Sequence, residues 1–346
     1  MPGAEMSAGE RAFVYAKSCG IIGKSFVEKR LGRLSAVSSP LELENMVFPL
    51  DKNDGDNLDG IETKIAKRAM ESILSVVGAF QKTPEILALL VRVYEYNDLK
   101  RAISAMCSGE EAPPERRDLR MFSTVRFEAY PNLKAMLKGT EFGFLLKEGV
   151  EFGKIPRADA FSALLDGHYY AALLAALARI PKRDCLGARH LFSEEISLLN
   201  CSLALRMRAY YGMKDGDVRS HLIGGRLNKY GAALDRDAVA SLSMELDHRA
   251  DWQDWRRRSF LNSEGGGKYW KCSPRHFQNA ASVYLYRLAR RYFRRRPFSL
   301  DTACCFIRLK QFEEQALTGI AEGAKLHVGA GEVFKTLNIQ PGGELS

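Results

Sequence analysis

Apolar residues recur at helical spacing through most of this chain. The clearest case lies in residues 193–227, where five apolar side chains stand three or four residues apart: Ile196, Leu199, Leu203, Met207 and Tyr210. This spacing places them on one face of an amphipathic helix. We expect Ser193 to cap the start of that helix and Gly212 to end it.

Asn200 lies on the same apolar stripe, one turn before Leu203. A buried asparagine needs hydrogen-bond partners for its amide group. We therefore expect Asn200 to tie this helix to a neighbouring segment rather than to act in catalysis.

The same spacing predicts helices along the rest of the chain, with a short helix after Pro40 and another near Asp217. The longer predicted helices cover residues 11–31, 61–80, 84–106, 125–138, 141–152, 159–165, 169–179, 235–247, 251–260, 273–296, 302–322 and 332–337. No stretch alternates apolar and polar residues with the β-branched enrichment of a strand. The pattern predicts an all-α fold.

Clusters of glycine, proline and acidic residues interrupt the helical pattern at 109–114, and a glycine–proline stretch does so at 153–156. Several helices also end at glycine followed by a basic or small residue and then Leu or Ile, as in Gly32-Arg33-Leu34 and Gly225-Arg226-Leu227. A chain of 346 residues is too long for one ordinary core. The length and these breaks predict two or three helical modules, with the first boundary at 109–114.

Composition narrows the class of protein. The chain is 46% hydrophobic and 27% charged, which indicates a globular protein. Its net charge of +9 permits nucleic acid, an anionic membrane surface or an acidic protein as a partner and does not choose among them. The longest apolar run, Tyr169–Ala178, is shorter than the roughly 18 residues of a membrane span. The first residues lack the pattern of a secretory signal. Seven cysteines without regular spacing favour reduced thiols and a cytoplasmic protein.

The sequence shows no motif of a known catalytic or ligand-binding site. Gly23-Lys24-Ser25 lacks the earlier glycine and the strand of a phosphate loop, and residues 51–60 lack the ligand order of a calcium loop. The six histidines form no zinc-binding spacing. The adjacent Cys304 and Cys305 are expected in the core. We assign no catalytic, cofactor-binding or metal-binding residue and expect a protein that is not an enzyme.

Arginines are the candidate functional residues. The helix predicted over 273–296 carries a basic stripe, and two more arginines stand near the end of the central helix. The candidate protein-binding residues are Arg206, Arg208, Arg287, Arg290, Arg291 and Arg294. A second cluster combines Trp252 and Trp255 with Arg256–Arg258. Such stripes are compatible with a solvated face, an acidic partner or lipid surface, or single-stranded nucleic acid.

Four segments, taken in order, carry a resemblance to a known family. They are the Tyr15-Ala16 helix leading through Leu31 and Leu34 to Pro40–Leu43, then Tyr94–Lys100, then Leu199-Asn200 through Arg206 and Arg208 to His221–Leu227, and finally Phe306–Ile320. This set resembles the C/d-type subunit family of V-type and A-type rotary ATPases. Asp98 and Gln311 depart from the residues usual in that family.

The resemblance implies three related helical modules in a pseudo-threefold, funnel-like arrangement, which we place at 1–112, 113–228 and 229–346. It implies a non-catalytic central-rotor subunit that couples the central shaft to the membrane rotor ring during proton or sodium transport. Such a subunit lies at the inner face of the membrane, touches it only through the complex and binds neither nucleotide nor cofactor. Nucleic acid is not an expected partner. The alternatives are a basic helical nucleic-acid-binding protein and a divergent paralogue with a scaffold role.

Overall fold

A computed structural model describes residues 7–27, 29–49, 60–146, 158–224, 234–263 and 269–337. In these ranges the chain is helical and has no β-strand, as the sequence predicts. The α-helices are α1 Ala8–Lys24, α2 Lys29–Gly32, α3 Pro40–Val47, α4 Ile61–Val77, α5 Glu85–Cys107, α6 Leu133–Leu137, α7 Ala158–Arg179, α8 Lys182–Tyr211, α9 Asp215–His221, α10 Arg236–Ser241, α11 Pro274–Arg295, α12 Leu300–Lys325 and α13 Ala330–Thr336. The sequence features at 51–59, 153–155, 225–227 and 265–267 lie outside the described residues.

Three of the helices predicted from the sequence differ from the structure. The helix predicted over 11–31 ends at Lys24, since the backbone of Ser25 leaves helical geometry. Residues 125–138 contain Pro131 and form only a 3₁₀ turn, Phe127–Ala129, followed by the short α6. Of the helix predicted over 141–152, residues 141–146 form 3₁₀ turns, and residues 147–152 lie outside the described residues.

The two helices predicted over 159–165 and 169–179 are instead one helix, α7. Gly167 sits inside it with open space around its Cα. Asp166 and His168 on either side form side-chain contacts with Lys100 and Tyr96 of α5. These contacts hold the helical register across a residue of low helix propensity.

The central helix α8 begins eleven residues before the expected cap at Ser193, so that prediction is wrong. Cys185 interrupts its first turns with non-helical dihedrals (φ −141°, ψ 28°). The amide groups of Gly187 and Ala188 that this break exposes donate to the buried carboxylate of Asp301, at 3.0 and 2.7 Å. Burial raises the pKa of Asp301 above its ordinary value, although these two bonds and Arg296 oppose the rise. The cap of α8 therefore comes from α12.

The chain forms two compact units, one of residues 1–72 and 180–346 and one of residues 73–179. The three modules expected from the sequence stay a prediction.

In the second unit, α5 packs on α7, and Tyr96 lies buried with its hydroxyl 2.7 Å from Nδ1 of His168. Burial lowers the pKa of that histidine. The stretch Phe161–Arg179 is long and apolar enough to cross a membrane by length and composition alone, and a third of its window is buried.

The first unit is organised around α8, α11 and α12, which pack on one another, with α1 against α12. One apolar cluster joins α3 and α4 to α12 and α13, and it includes Leu43, Ile65 and Phe334. A second surrounds the later half of α8 and includes Leu205 and Phe277. Cys304 and Cys305 are fully buried, as expected.

The long helices α5, α8 and α12 bury polar side chains that bind the backbone of other segments. We call three of these residues, Glu95, Asn200 and Glu313, the clasp residues. All three are buried. Each stands in one of the segments that carry the family resemblance.

The three clasp residues bind in similar ways. Glu95 accepts from the amide of Val125 at 2.7 Å and from the hydroxyls of Ser123 and Thr124. Glu313 accepts from the amide of Phe26 at 2.6 Å and also binds Lys310, whose Nζ lies 3.1 Å from the Ser25 hydroxyl. These bonds satisfy amide groups that would otherwise be buried without a partner.

Asn200 binds two segments through both atoms of its amide group. Its Oδ1 accepts from the amide of Ile223 at 2.7 Å, and its Nδ2 donates to the carbonyls of Ile223 and Leu234 at 2.6 and 3.2 Å. The prediction that Asn200 ties α8 to a neighbouring segment is confirmed.

The first testable prediction concerns this residue. Asn200→Ala should lower the free energy of unfolding by about 3 kcal/mol, because it leaves buried backbone groups unpaired. Asn97→Ala, an exposed position on α5, is the control and should change it by less than about 0.5 kcal/mol. The measurement is urea unfolding followed by far-UV circular dichroism. Equal stability of the two variants would contradict the clasp role.

Candidate interaction surfaces

The basic stripe lies on α11, whose start is fixed by two residues. The Ser273 hydroxyl accepts from the amide of His276, and Pro274 occupies the first helical position. The inward face of the helix buries Phe277, Leu288 and Phe293. Its arginines therefore lie on the remaining face.

The four candidate arginines of α11 differ in exposure. Arg291 and Arg294 are exposed, whereas Arg287 and Arg290 are half-buried. The Nε atom of Arg287 is buried without a hydrogen-bond partner, and burial lowers the pKa of its guanidinium. The accessible part of the stripe is thus its C-terminal half.

Arg206 and Arg208 have different surroundings although both lie in the last turns of α8. Arg206 is exposed. Arg208 donates from its two terminal nitrogens to the carbonyls of Ser241 and Met244, both at 2.7 Å. Arg208 therefore binds the end of α10 and the turn that follows it, which is a structural task.

The structure separates these two groups of arginines. Helices α8 and α11 are antiparallel, since His190 near the start of α8 contacts Tyr292 near the end of α11, with Nδ1 and Oη 2.8 Å apart. Near the other ends, Leu205 and Phe277 share one apolar cluster. From residue 277 to residue 294, α11 rises about 25 Å. Arg206 and Arg208 thus lie at the opposite end of this helix pair from Arg291 and Arg294.

The second basic and aromatic cluster is mostly core, which corrects its interpretation as an exposed surface. Trp252 and Trp255 are 1% and 3% exposed, and their indole groups donate to the carbonyls of Glu245 and Asp237. The helix predicted over 251–260 is replaced by two 3₁₀ turns, Arg249–Trp252 and Arg258–Phe260. These buried rings are not available to stack on nucleic-acid bases.

Arg257 in this cluster is buried between two carboxylates. It lies 2.7 Å from Glu194 and 2.6 Å from Asp237, and it donates to the Ser197 hydroxyl at 3.1 Å. Burial alone would lower the pKa of Arg257, but the two carboxylates outweigh it and raise the pKa. Burial likewise acts to raise the pKa of Glu194, and Arg257 reverses this and lowers it. This cluster joins α8, α10 and the loop after it.

A cleft of about 450 Å³ opens beside the same tryptophans. Its lining consists of Arg249, Trp252, Gln253, Arg258, Ser259 and Leu261. Arg249 donates to the carbonyl of Asn262 at 2.6 Å and lies over the ring of Trp270. In the described part of the chain, no group of three or more His, Cys, Asp or Glu side chains is placed to hold a metal ion.

A further surface, which the sequence pattern did not indicate, lies at the other end of α8 and α11. Phe13 of α1, Leu186 of α8 and Phe298, which follows α11, are 57%, 52% and 51% exposed. The rings of Phe298 and Tyr15 are 5.2 Å apart, and Arg11 of α1 pairs with Asp184 of α8 at 3.2 Å. Phe13 lies on the opposite side of α1 from Arg11 and Tyr15. We call Leu186 and Phe298, together with the exposed Lys182, Arg183 and Arg295, the basic apolar surface.

Phe298 has an unusual backbone conformation, with φ of +62°. This left-handed region is uncommon for any residue except glycine. The loop is held on both sides, because the carbonyl of Arg296 accepts from the hydroxyls of Ser299 and Thr302 at 2.7 and 3.2 Å. Arg296 itself lies 2.7 Å from Asp301. The only sequence signal for this surface is the phenylalanine that follows the arginine run and Pro297.

Comparisons with known proteins give a family. A family model described as ATP synthase (C/AC39) subunit matches residues 48–330. A protein of Treponema pallidum (strain Nichols), described as an uncharacterized protein, is 28% identical over 325 residues, which cover 92% of this chain and 93% of that protein. The match to the family model includes all the candidate arginines.

The second prediction separates the two arginines at the end of α8. Arg208→Ala should lower the free energy of unfolding by about 2 kcal/mol, because two carbonyls lose a charged donor. Arg208→Lys should restore little of it, since one ammonium group cannot reproduce the fork of two donors. Arg206→Ala is the control and should stay within about 0.5 kcal/mol of the unmodified protein in thermal unfolding. A large effect at Arg206 would refute this assignment.

Proposed function

Because this chain belongs to the ATP synthase (C/AC39) subunit family, that is, the C/d-type subunits of V/A-type ATPases, we propose that it is the non-catalytic central-rotor subunit of such a rotary ATPase. The observation that carries the proposal is the family match over residues 48–330. In this role the protein is the socket that couples the central shaft to the membrane rotor ring, and so couples ATP turnover to proton or sodium transport. It lies in the cytoplasm at the inner face of the membrane.

The clasp residues support three related modules, at 1–112, 113–228 and 229–346, by their repetition and not by the bounds, since the bonds of Glu95 and Glu313 join one proposed module to another. Each module contains one long helix with a clasp residue, namely α5 with Glu95, α8 with Asn200 and α12 with Glu313. Glu95 and Asn200 bind segments that follow their helices in the chain, at Val125 and Ile223. Glu313 instead binds Phe26, near the start of the chain. A repeated helix with a repeated backbone clasp is what three related modules in a pseudo-threefold arrangement would contain.

The exposed arginines support a role in binding acidic partners. Arg291 and Arg294 extend from a helix whose opposite face is packed into the core, so their positions are fixed by α11. A rigid helix that presents positive charge favours association with negatively charged protein surfaces. We assign these two residues to contacts with the shaft or the ring.

The third prediction tests the proposed role directly. The tagged full-length protein, purified from detergent-solubilised membranes of its own cells, should bring with it the ATPase head, shaft and ring subunits, identified by mass spectrometry. Purification of an unrelated tagged cytoplasmic protein is the control. Recovery of the chain alone, from the soluble fraction, would refute the rotor role and favour a divergent paralogue.

The fourth prediction concerns the arginines of α11. The double variant Arg291→Glu, Arg294→Glu should reduce recovery of the shaft or ring subunits at least about tenfold, because like charges across an interface repel. The matched control reverses two exposed charges at or near the start of the same helix, Lys271→Glu and Arg275→Glu. Unchanged assembly in the first variant would mean that Arg291 and Arg294 form a solvated face.

A further inference from the structure

The cleft beside Trp252 has the size and the lining of a site for a small ligand. Its volume of about 450 Å³ lies within the range of about 300 to 1,000 Å³ that is usual for ligand sites in proteins. Two arginines, a serine and a glutamine supply its polar lining, and Trp252 and Leu261 supply its apolar lining. Both of these apolar residues are buried, so they form the inner part of the cleft.

The lining of the cleft is cationic. Arg249 and Arg258 belong to it, and none of the described Asp or Glu side chains does. Asp251, two residues after Arg249, is engaged elsewhere, since it lies 2.6 Å from Nδ1 of His248 and accepts from the amide of Glu245 at 3.2 Å. The cleft therefore favours an anion, because apolar walls strengthen the attraction of the two guanidinium groups.

One wall of the cleft is held in place by Asn262. Its carbonyl accepts from Arg249 at 2.6 Å and from the indole of Trp270 at 3.1 Å. Its side chain accepts from the amide of Ser273 at 2.9 Å and donates to the carbonyl of Lys271 at 3.1 Å. The guanidinium of Arg249 is thus fixed before a ligand arrives, and a fixed wall lowers the entropic cost of binding.

The donors that a ligand would meet come from Arg258 and Ser259. One terminal nitrogen of Arg258 donates to the carbonyl of Gln253, which holds the side chain at the cleft. Among the described residues, no carboxylate pairs with Arg258, and no hydrogen bond engages its Nε, its other terminal nitrogen or the Ser259 hydroxyl. Two adjacent nitrogens of one arginine are the arrangement that binds both oxygens of a carboxylate.

These donors suit a carboxylate better than a phosphate. A phosphate carries three strong acceptor oxygens and a charge of about −1.5 to −2, and it is often bound by amide groups at the start of a helix. The cleft offers no α-helix start, since its lining lies in and beside the 3₁₀ turns Arg249–Trp252 and Arg258–Phe260. The arginine fork and the one hydroxyl match the two oxygens of a carboxylate.

We propose that this cleft binds a carboxylate attached to a small apolar body, with Arg258 pairing with the carboxylate and the apolar body lying toward Trp252 and Leu261. The carboxylate belongs either to a free organic acid or to the C-terminal residue of a polypeptide, because both present the same group. This proposal goes beyond the rotor role and does not depend on it.

The test uses the fluorescence of the cleft itself. All three tryptophans of the chain lie in or beside it, since Trp255 and Trp270 lie 5.1 and 6.4 Å from Trp252 between ring centroids. The purified full-length protein is titrated with phenylacetate, and isothermal titration calorimetry checks the result. We expect saturable binding with a dissociation constant on the order of 1 mM, as the size of this ligand allows. Phenylacetamide, its neutral analogue, should bind at least about tenfold more weakly.

Variants locate the site. Arg258→Gln should weaken the binding of phenylacetate at least about tenfold, because it removes the charged fork. Arg275→Gln, which removes an exposed positive charge at the start of α11, is the matched control and should change it less than about twofold. Ser259→Ala should weaken it about threefold, since one neutral hydrogen bond is lost. Circular dichroism checks the fold of each variant, and Ser259→Ala carries the test if Arg258→Gln does not fold.

Two further probes identify the source of the carboxylate and the kind of anion. Acetyl-glycyl-phenylalanine presents the C-terminal carboxylate of a polypeptide. If it binds more tightly than phenylacetate, the ligand is a polypeptide end, and if it binds no more tightly, the ligand is a free acid. Phenyl phosphate presents the other anion, and tighter binding of this probe than of either carboxylate would overturn the assignment of a carboxylate.

Three other outcomes would also overturn the proposal. The first is the absence of saturable binding for both phenylacetate and acetyl-glycyl-phenylalanine. The second is equal binding of phenylacetate and phenylacetamide, which would indicate an apolar recess that does not recognise an anion. The third is an equal loss in Arg258→Gln and Arg275→Gln, which would indicate an effect of net charge alone. Co-purification of the ATPase subunits is measured separately, so a failure here leaves the rotor role standing.

Discussion

The bond between a buried polar side chain and the backbone of another segment is the constraint on which this fold depends. Apolar faces bring α8, α11 and α12 together, but the hydrophobic effect has no direction, so the burial of apolar area alone does not select one register. Glu95, Asn200 and Glu313 each fix one helix to particular amide groups. A shift of one helix along another would leave these buried amide groups without a partner. The hydrogen bonds, and not the buried apolar area, therefore set the register between the helices.

This constraint also determines where the outward surfaces lie. Asp301 supplies the cap that α8 lacks after its break at Cys185, and it holds Arg296 beside the start of α8. The end of α11 is thereby held beside the beginning of α8, with Tyr15 of α1 against Phe298. Gly187 is required at this junction, because a Cβ there would lie 2.7 Å from the ring of Tyr292. The exposed phenylalanine and arginine side chains follow from these buried contacts.

The sequence was sufficient for the all-α class, for the long helices and for the task of Asn200, because helical periodicity and the need to pair a buried amide are local rules. It was insufficient where residues far apart in the chain determine the start of a helix or the burial of a side chain. The cap at Ser193 was wrong because Asp301, far along the chain, supplies the cap nearer the true start. Trp252, Trp255 and Arg257 looked like a surface because composition does not reveal the carboxylates of Glu194 and Asp237. Arg208 and Arg291 look alike in sequence and differ only in what lies beside them.

The buried arginine between Glu194 and Asp237 has a mechanical consequence. Its hydrogen bonds weaken steeply when their length or angle changes, whereas apolar contacts yield gradually as surfaces slide. A helix held in this way stays rigid under small displacements and gives way abruptly beyond them. In the proposed rotor role, such bonds would limit the elastic twist lost between the shaft and the ring. Burial of these charges therefore makes the helix stiffer, and a measurement of equilibrium stability alone does not detect this stiffness.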